Sequence, residues 1–306
     1  MAAYKKFLFL LILNLSLFIF LTIFIANLKL NEKFINKTYD KNYLVYSYQL
    51  QKINNIKNSG NLYFLGDSSL GNLIDANYFS KRIGIKTYNL ALTEIYGYAG
   101  QLNMLKRILQ KDLNPKKIFF INSIYFINLN VDEEAFYLTS QNFRDIIESS
   151  NQTEYIKHIY RYLLKYAKAE KDFNLNKYNN FVSSNIINDY IIQSKVRYIF
   201  KPKLINNYNS KVYYLSKISN LCDENNLECI FMNGPISNEY LKLHKEYATN
   251  TYKFLNKHLI KELYLDKKII IENYDLGDTQ IHINFNSKKK YTDKYITYLK
   301  EKNILQ

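Results

Sequence analysis

Tryptophan is absent from this 306-residue chain, proline occurs three times, cysteine twice and histidine four times. With so few cysteines and histidines, none in ligand spacing, no zinc finger or ribbon is expected, and no metal or other cofactor. An arginine-rich arm is also missing. The net charge of +15 comes from 42 Lys and Arg against 27 Asp and Glu, and its lysines are scattered along the chain. Many Lys, Asn, Ile and Phe, with 30 Tyr and no Trp, make up the composition that AT-rich codons produce. The basic balance is therefore poor ground for a nucleic-acid partner, and none is expected. Attraction to anionic lipid or acidic polysaccharide fits the charge but is not specified by it. The densest basic run, Lys288-Lys289-Lys290, reads as the opening of a solvated helix. No internal repeat and no low-complexity linker interrupts the chain, which is long enough to bury a full core.

A further absence is more informative. Between Phe7 and Ala26 there is no charge, and only Asn14, Ser16 and Thr22 are polar. At about 1.5 Å per residue such a helix reaches roughly 30 Å, the thickness of a bilayer's hydrocarbon core. Lys5 and Lys6 precede it and favour a cytoplasmic N-terminus; Lys29 and Lys33 follow it and offset part of that bias. A cleaved signal peptide is the rival reading. It would have a shorter apolar stretch and a better cleavage site than Ile25-Ala26-Asn27. Residues 1–28 are therefore read as an uncleaved signal anchor in a bacterial cytoplasmic membrane, 29–60 as a connector, and 61–306 as an extracytoplasmic domain (periplasmic or outer face). On that side Cys222 and Cys229 can pair as a disulfide, or remain two buried thiols.

Short apolar runs alternate with helical patterns. Strands are expected at Leu62–Leu65, Ile85–Leu90, Lys117–Ile121, Glu228–Met232 and Lys268–Glu272. Helices are expected at Ser69–Ile83, Tyr98–Leu113, 208–222, about 237–260 and Ser287–Lys302. That alternation predicts an α/β fold, a parallel sheet flanked by helices in three flavodoxin-like layers. Residues of about 126–205 lack strand patterns and read as a helical insertion. The tyrosines there, at 155, 160, 162 and 166, read as helix packing.

The first strand runs directly into Gly66-Asp67-Ser68. A serine at that point lies at the C-terminal edge of an open sheet, where ligands bind. Taken alone the tripeptide is also a common turn, and Ser68 could serve only to begin the following helix. A hydroxyl needs a base to become a nucleophile. His282 lies in a loop before the terminal helix, placed to reach the same edge, whereas His158, His244 and His258 fall on helix faces. Asp278 and Asp275 are the nearby carboxylates that could orient the His282 ring.

In these blocks the chain resembles the SGNH/GDSL hydrolase superfamily. Gly66-Asp67-Ser68 corresponds to its first block, Asn89-Leu90-Ala91 to the approach to its second, and His282-Ile-Asn284 to its last. With the anchor and the insertion, it looks like the membrane-anchored branch that includes alginate O-acetylation proteins and the protein completing D-alanyl transfer to teichoic acid. The resemblance implies an acyl-enzyme on Ser68, with His282 as base and Asp278 as acid. It also implies an oxyanion hole from the Ser68 N–H, a glycine N–H carried by Gly97, and the Asn122 side chain. Two departures stand out. The expected glycine position falls near Thr93 or Glu94, and Asp278 precedes His282 by four residues where the family has three. The expected activity is ester hydrolysis or O-acyl transfer on a cell-envelope polysaccharide, glycan or polymer, with a multi-span membrane acyltransferase as a possible partner. The alternative is a catalytically degenerate SGNH module that binds glycan or scaffolds an envelope complex.

Overall fold

A strand covered on both faces has no solvent side, so its residues are apolar throughout rather than alternating. The chain's first strand has that composition. In the computed structural model, which describes residues 2–27, 41–112, 114–129, 133–141, 144, 145, 157, 208–259 and 263–305, it is buried at every position. The strands in chain order are β1 (Leu62–Gly66), β2 (Thr87–Asn89), β3 (Lys117–Asn122), β4 (Cys229–Asn233), β5 (Ile236–Ser237), β6 (Tyr264–Leu265) and β7 (Ile270–Ile271). Five of them form one parallel sheet in the order β2-β1-β3-β4-β6.

The described helices are α1 (Ala2–Asn27), α2 (Lys41–Asn54), α3 (Ser68–Leu73), α4 (Ala76–Ile83), α5 (Gly97–Lys111), α6 (Glu133–Thr139), α7 (Tyr208–Glu224), α8 (Asn238–Leu243), α9 (Lys245–His258) and α10 (Lys288–Glu301). Alternate strand residues face opposite layers. Leu62, Phe64, Phe119 and Ile121 pack with Leu70 and Leu73 of α3, Phe79 of α4, and Tyr291, Tyr295 and Leu299 of α10. Tyr63, Leu65, Ile118 and Phe120 pack with Leu105 and Ile108 of α5, Leu215 and Ile218 of α7, and Leu255 of α9. The fold is thus a three-layer α/β sandwich.

After β1 the chain crosses to β2 on one side, then returns to β3 on the other. The C-terminal ends of β1 and β3 consequently flank the topological switch point, where open sheets of this order leave a crevice. Ser68 and Asn122 sit at those two ends.

Three expected elements differ. The run at Lys268–Glu272 does not join the main sheet: Ile270–Ile271 pairs with Ile236–Ser237, and Tyr264–Leu265 takes the edge beside β4. The helix expected over Ser69–Ile83 breaks at Ile74–Asp75, where the Asp75 carboxylate caps α4 by accepting from Tyr78 N. The helix expected at 237–260 breaks at His244, which separates α8 from α9. The Lys288-Lys289-Lys290 run is also less solvated than its composition suggests. Lys288 is buried and donates to the Gly71 carbonyl at 2.7 Å, which ties α10 to α3. Most of the expected insertion at about 126–205 lies outside the described residues, as do Tyr155, Tyr160, Tyr162, Tyr166 and His158, residue 28 of the anchor and residues 29–40 of the connector.

Helix α1 contains a span, Ala3–Ile25, long and apolar enough to cross a membrane. Most of its large apolar side chains are exposed. Cys222 and Cys229, both buried, are joined in a disulfide between the end of α7 and the start of β4.

Gly66 closes β1 without a side chain for a steric reason. A Cβ there would lie 1.9 Å from the Ile121 carbonyl oxygen of the neighbouring strand. That oxygen belongs to the sheet and cannot move aside as a flexible side chain would. Gly66→Ala is expected to cost about 3 kcal/mol and to lower Tm by about 10 °C. Thermal unfolding of the full chain in detergent checks this, and an unchanged Tm would contradict it.

Candidate active site

The site starts from a buried carboxylate. Asp67, only 1% exposed, follows β1 and caps α3 by accepting from Ser69 N at 3.0 Å and from the Ser69 hydroxyl. Its other oxygen accepts from Ser123 N at 3.2 Å and Ser123 Oγ at 2.6 Å, beyond the end of β3. One side chain thus clamps the β1–α3 turn to the adjacent strand. Gly234 lets the β4 end close over that clamp, since a Cβ there would meet Ser69 Oγ at 2.7 Å and Ser123 N at 2.9 Å. From the other side Asn89 donates to the carbonyls of Leu70 and Ile74, at 3.2 and 2.8 Å, and so holds α3 to β2. The turn carrying Ser68 is fixed from both sides before any ligand arrives.

Ser68 Oγ lies 2.9 Å from His282 Nε2, and His282 Nδ1 lies 2.7 Å from Asp278 Oδ1. An ionised carboxylate only accepts, so the Nδ1–H donates to Asp278 and Nε2 is left to accept the Ser68 hydroxyl proton. Ser68 and His282 are both buried, at 8% and 7% exposure, so water screens the contact little. The three groups come from opposite ends of the chain: Ser68 begins α3, while Asp278 and His282 occupy the loop after β7.

The four-residue spacing between Asp278 and His282 has a local cause. Leu276 and Ile283 form an antiparallel bridge, and Gly277 N donates to the His282 carbonyl at 2.7 Å. The segment folds back as a tight hairpin, which returns Asp278 to the ring despite the extra residue. Gly277 suits this closure, because a Cβ would stand 3.3 Å from both His282 Cβ and its carbonyl oxygen.

Asp275, the other nearby carboxylate, is engaged elsewhere. It accepts from the Ser287 hydroxyl, from Lys290 Nζ at 2.8 Å and from Tyr291 OH at 3.0 Å, and is 2% exposed. Burial alone raises its pKa, but the hydrogen bonds from Lys290, Ser287 and Tyr291 outweigh that, and the net shift is downward. A carboxyl group with a depressed folded-state pKa contributes stability above its unfolded pKa and loses it as pH falls through the folded value. Asp275→Asn is therefore expected to destabilise the chain by about 2 kcal/mol at neutral pH. The gap to wild type should narrow as pH falls below the carboxylate range. Urea unfolding across that range checks it; a gap independent of pH would contradict it.

Asn122 is held in a reciprocal amide pair with Gln101 of α5. Gln101 Nε2 donates to Asn122 Oδ1 at 2.6 Å, and Asn122 Nδ2 donates to Gln101 Oε1 at 3.3 Å. This fixes the amide orientation and leaves the second Nδ2 hydrogen for another acceptor. Ser68, as the first residue of α3, has an N–H with no intrahelical acceptor. Gly97 is different. It has a positive φ of 55°, and its N–H donates to the Glu94 carbonyl, so that N–H already serves the turn into α5.

Gln101, Ser123 and the hub role of Asp67 are not legible from the sequence. Their partners are up to 56 positions away, and no local spacing encodes them. Among the described residues no group of three or more His, Cys, Asp or Glu side chains could hold a metal ion.

No protein-family model and no curated protein sequence matches this chain. Among solved structures it is similar to a family two carbohydrate esterase from Clostridium thermocellum in complex with cellohexaose, at 10% identity and a TM-score of 0.39. That match covers 82% of this chain and 67% of the esterase. It is also similar to an acetyl xylan esterase from the rumen bacterium Butyrivibrio proteoclasticus, at 12% identity and a TM-score of 0.34. There the match covers 80% of this chain and 65% of that one. This chain thus spans about two thirds of the length of either esterase.

Proposed function

We propose that this protein is a membrane-anchored serine acyl-transfer enzyme of the SGNH type, an O-acylesterase or O-acyltransferase acting on cell-envelope polysaccharide or glycan. The observation that carries the reading is the hydrogen-bonded line from Ser68 Oγ through the His282 ring to Asp278, at 2.9 and 2.7 Å.

In this mechanism Ser68 Oγ attacks the acyl carbonyl carbon while its proton passes to His282 Nε2. Asp278 stabilises the imidazolium formed. The carbonyl oxygen becomes an oxyanion, with the Ser68 N–H and the free hydrogen of Asn122 Nδ2 as its donors. Collapse breaks the ester bond, and the departing alkoxide takes the proton from His282 Nε2. This leaves an acyl ester on Ser68. Water or a sugar hydroxyl then gives its proton to His282 Nε2 and attacks the acyl carbon; the bond to Ser68 Oγ breaks, and Oγ takes that proton back as the acid or new ester leaves. Hydrolase and transferase differ only in that second nucleophile. No step requires a metal or organic cofactor.

Helix α1, with Lys5 and Lys6 before it, is taken to anchor the domain with the N-terminus in the cytoplasm, so that the site lies outside. A transferase would need an acyl donor, and a multi-span membrane acyltransferase is the natural class of supplier. The competing reading is a non-catalytic glycan-binding or scaffolding module. It is favoured by the Gly97 N–H, which is spent on Glu94 and unavailable to an oxyanion. Acetate release from a panel of O-acetylated glycans tests the enzyme reading. Release by wild type and not by Ser68→Ala supports it; no release from any glycan favours the module.

A further inference from the structure

Helix α2 stands between the anchor and β1 in the chain, in the segment expected as a connector. One face of it is closed in the core: Val45, Tyr46 and Ile53 are at most 1% exposed. Gln49 lies on the same face, one turn from Val45 and from Ile53, and is 4% exposed. The face packs against the stretch of chain that leaves β2. The Tyr46 ring is 6.0 Å from the Tyr96 ring. Gln49 Nε2 donates to the Ala91 carbonyl at 2.6 Å, and Lys52 Nζ donates to the Asn89 carbonyl at 3.0 Å.

Those contacts lead on to the nucleophile. The Ala91 N–H donates to Asn89 Oδ1 at 3.1 Å, which turns the other end of that amide toward the Leu70 and Ile74 carbonyls. Leu70 belongs to α3, the helix that Ser68 begins. On either side of Ala91, Leu90 N and Leu92 N donate to the Phe64 and Gly66 carbonyls and keep the stretch beside β1 up to the turn. Gln49 thus holds Ala91 by its carbonyl while Asn89 holds it by its N–H, and a line of hydrogen bonds runs from α2 to α3.

Stability does not explain a glutamine at that place. Its Oε1 is buried with no hydrogen-bond partner among the described residues. An unpaired buried acceptor loses about what one net hydrogen bond gains, so the residue adds little to the folded state. An apolar side chain of the same length would serve the core as well. What the amide supplies is direction, because its bond fixes where the Ala91 carbonyl lies.

We infer that Gln49, supported by Lys52, is a positioning residue for Ser68 and acts through Ala91 and Asn89. The inference rests on the serine acyl-transfer reading above and gives α2 a part in the catalytic domain. Displacing a reacting group by about 1 Å costs on the order of a hundredfold in rate, so the effect of losing the amide falls on kcat rather than on KM.

The test is Gln49→Met in the full chain in detergent, since methionine keeps the length and removes the amide. Hydrolysis of p-nitrophenyl acetate should show kcat lowered at least about tenfold with KM within about twofold of wild type. Tm should stay within about 3 °C of wild type. Backbone hydrogen exchange, read by mass spectrometry, should be at least about threefold faster in the peptide covering α3 and unchanged in the peptide covering β4. Lys52→Met should lower kcat roughly threefold, and it replaces the first variant if that one does not fold. In a folded variant, kcat within about twofold of wild type would overturn the proposal. Exchange that rises equally in β4 would mean general loosening and would overturn it as well. If wild type hydrolyses no ester, the serine reading has failed, and exchange alone decides whether Gln49 positions α3. Unchanged exchange over α3 would then overturn it.

Discussion

Ser68→Ala is expected to lower kcat for ester cleavage by about a millionfold, the scale on which a relay collapses when its nucleophile is removed. The loss should come without unfolding. Among the described residues the Ser68 hydroxyl has one side-chain partner, His282, and the clamp that holds the turn uses Asp67, Ser69, Ser123 and Asn89 instead. The bond from Asn72 Nδ2 reaches the Ser68 carbonyl and survives the substitution. Steady-state hydrolysis of p-nitrophenyl acetate by the full chain in detergent, with a thermal melt on the same sample, separates the two effects. A folded variant that keeps more than a small fraction of the wild-type rate would mean that another group does the chemistry.

Asp278→Asn is expected to lower kcat by about ten-thousandfold, although only one atom changes. An asparagine can turn its Nδ2 toward His282 and donate to Nδ1. The ring proton then moves to Nε2, the nitrogen that must accept from Ser68, and the base is lost with the geometry intact. Asp275→Asn acts on the Lys290, Ser287 and Tyr291 bonds and changes stability. The two carboxylates, three positions apart in sequence, are thus separable by rate in one case and by pH-dependent stability in the other. If Asp275→Asn stopped catalysis in folded protein and Asp278→Asn did not, the assignment of the acid would be reversed.

Ser68 and His282 are legible in the sequence because each lies in a short local pattern, a buried strand breaking into a turn and a polar loop opening a helix. The apolar runs behind β1, β3 and β4 are legible for a related reason, since burial on both faces removes the polar alternation. The sheet edge is not. Lys268–Glu272 is the more apolar run, yet the two-residue Tyr264–Leu265 takes the place beside β4, because pairing depends on where the chain returns in space. The choice between Asp275 and Asp278 stays open in sequence for the same reason. It turns on the Leu276–Ile283 bridge and the Gly277 closure, contacts that the spacing does not reveal. Asp67 reads locally as a helix cap, and half of its role, the grip on Ser123, is visible only once β1 and β3 lie side by side. The commitment of the Gly97 N–H to the Glu94 carbonyl is a matter of backbone angle, which residue spacing does not reveal.

The central claim is that Ser68 is a nucleophile activated by His282. Its most direct measurement is covalent labelling with a fluorophosphonate, followed by peptide mass spectrometry. The account predicts a single adduct, on the peptide containing Ser68, that is lost in Ser68→Ala and in His282→Ala. A folded wild-type chain that takes no label, or takes it on a different residue, would contradict it.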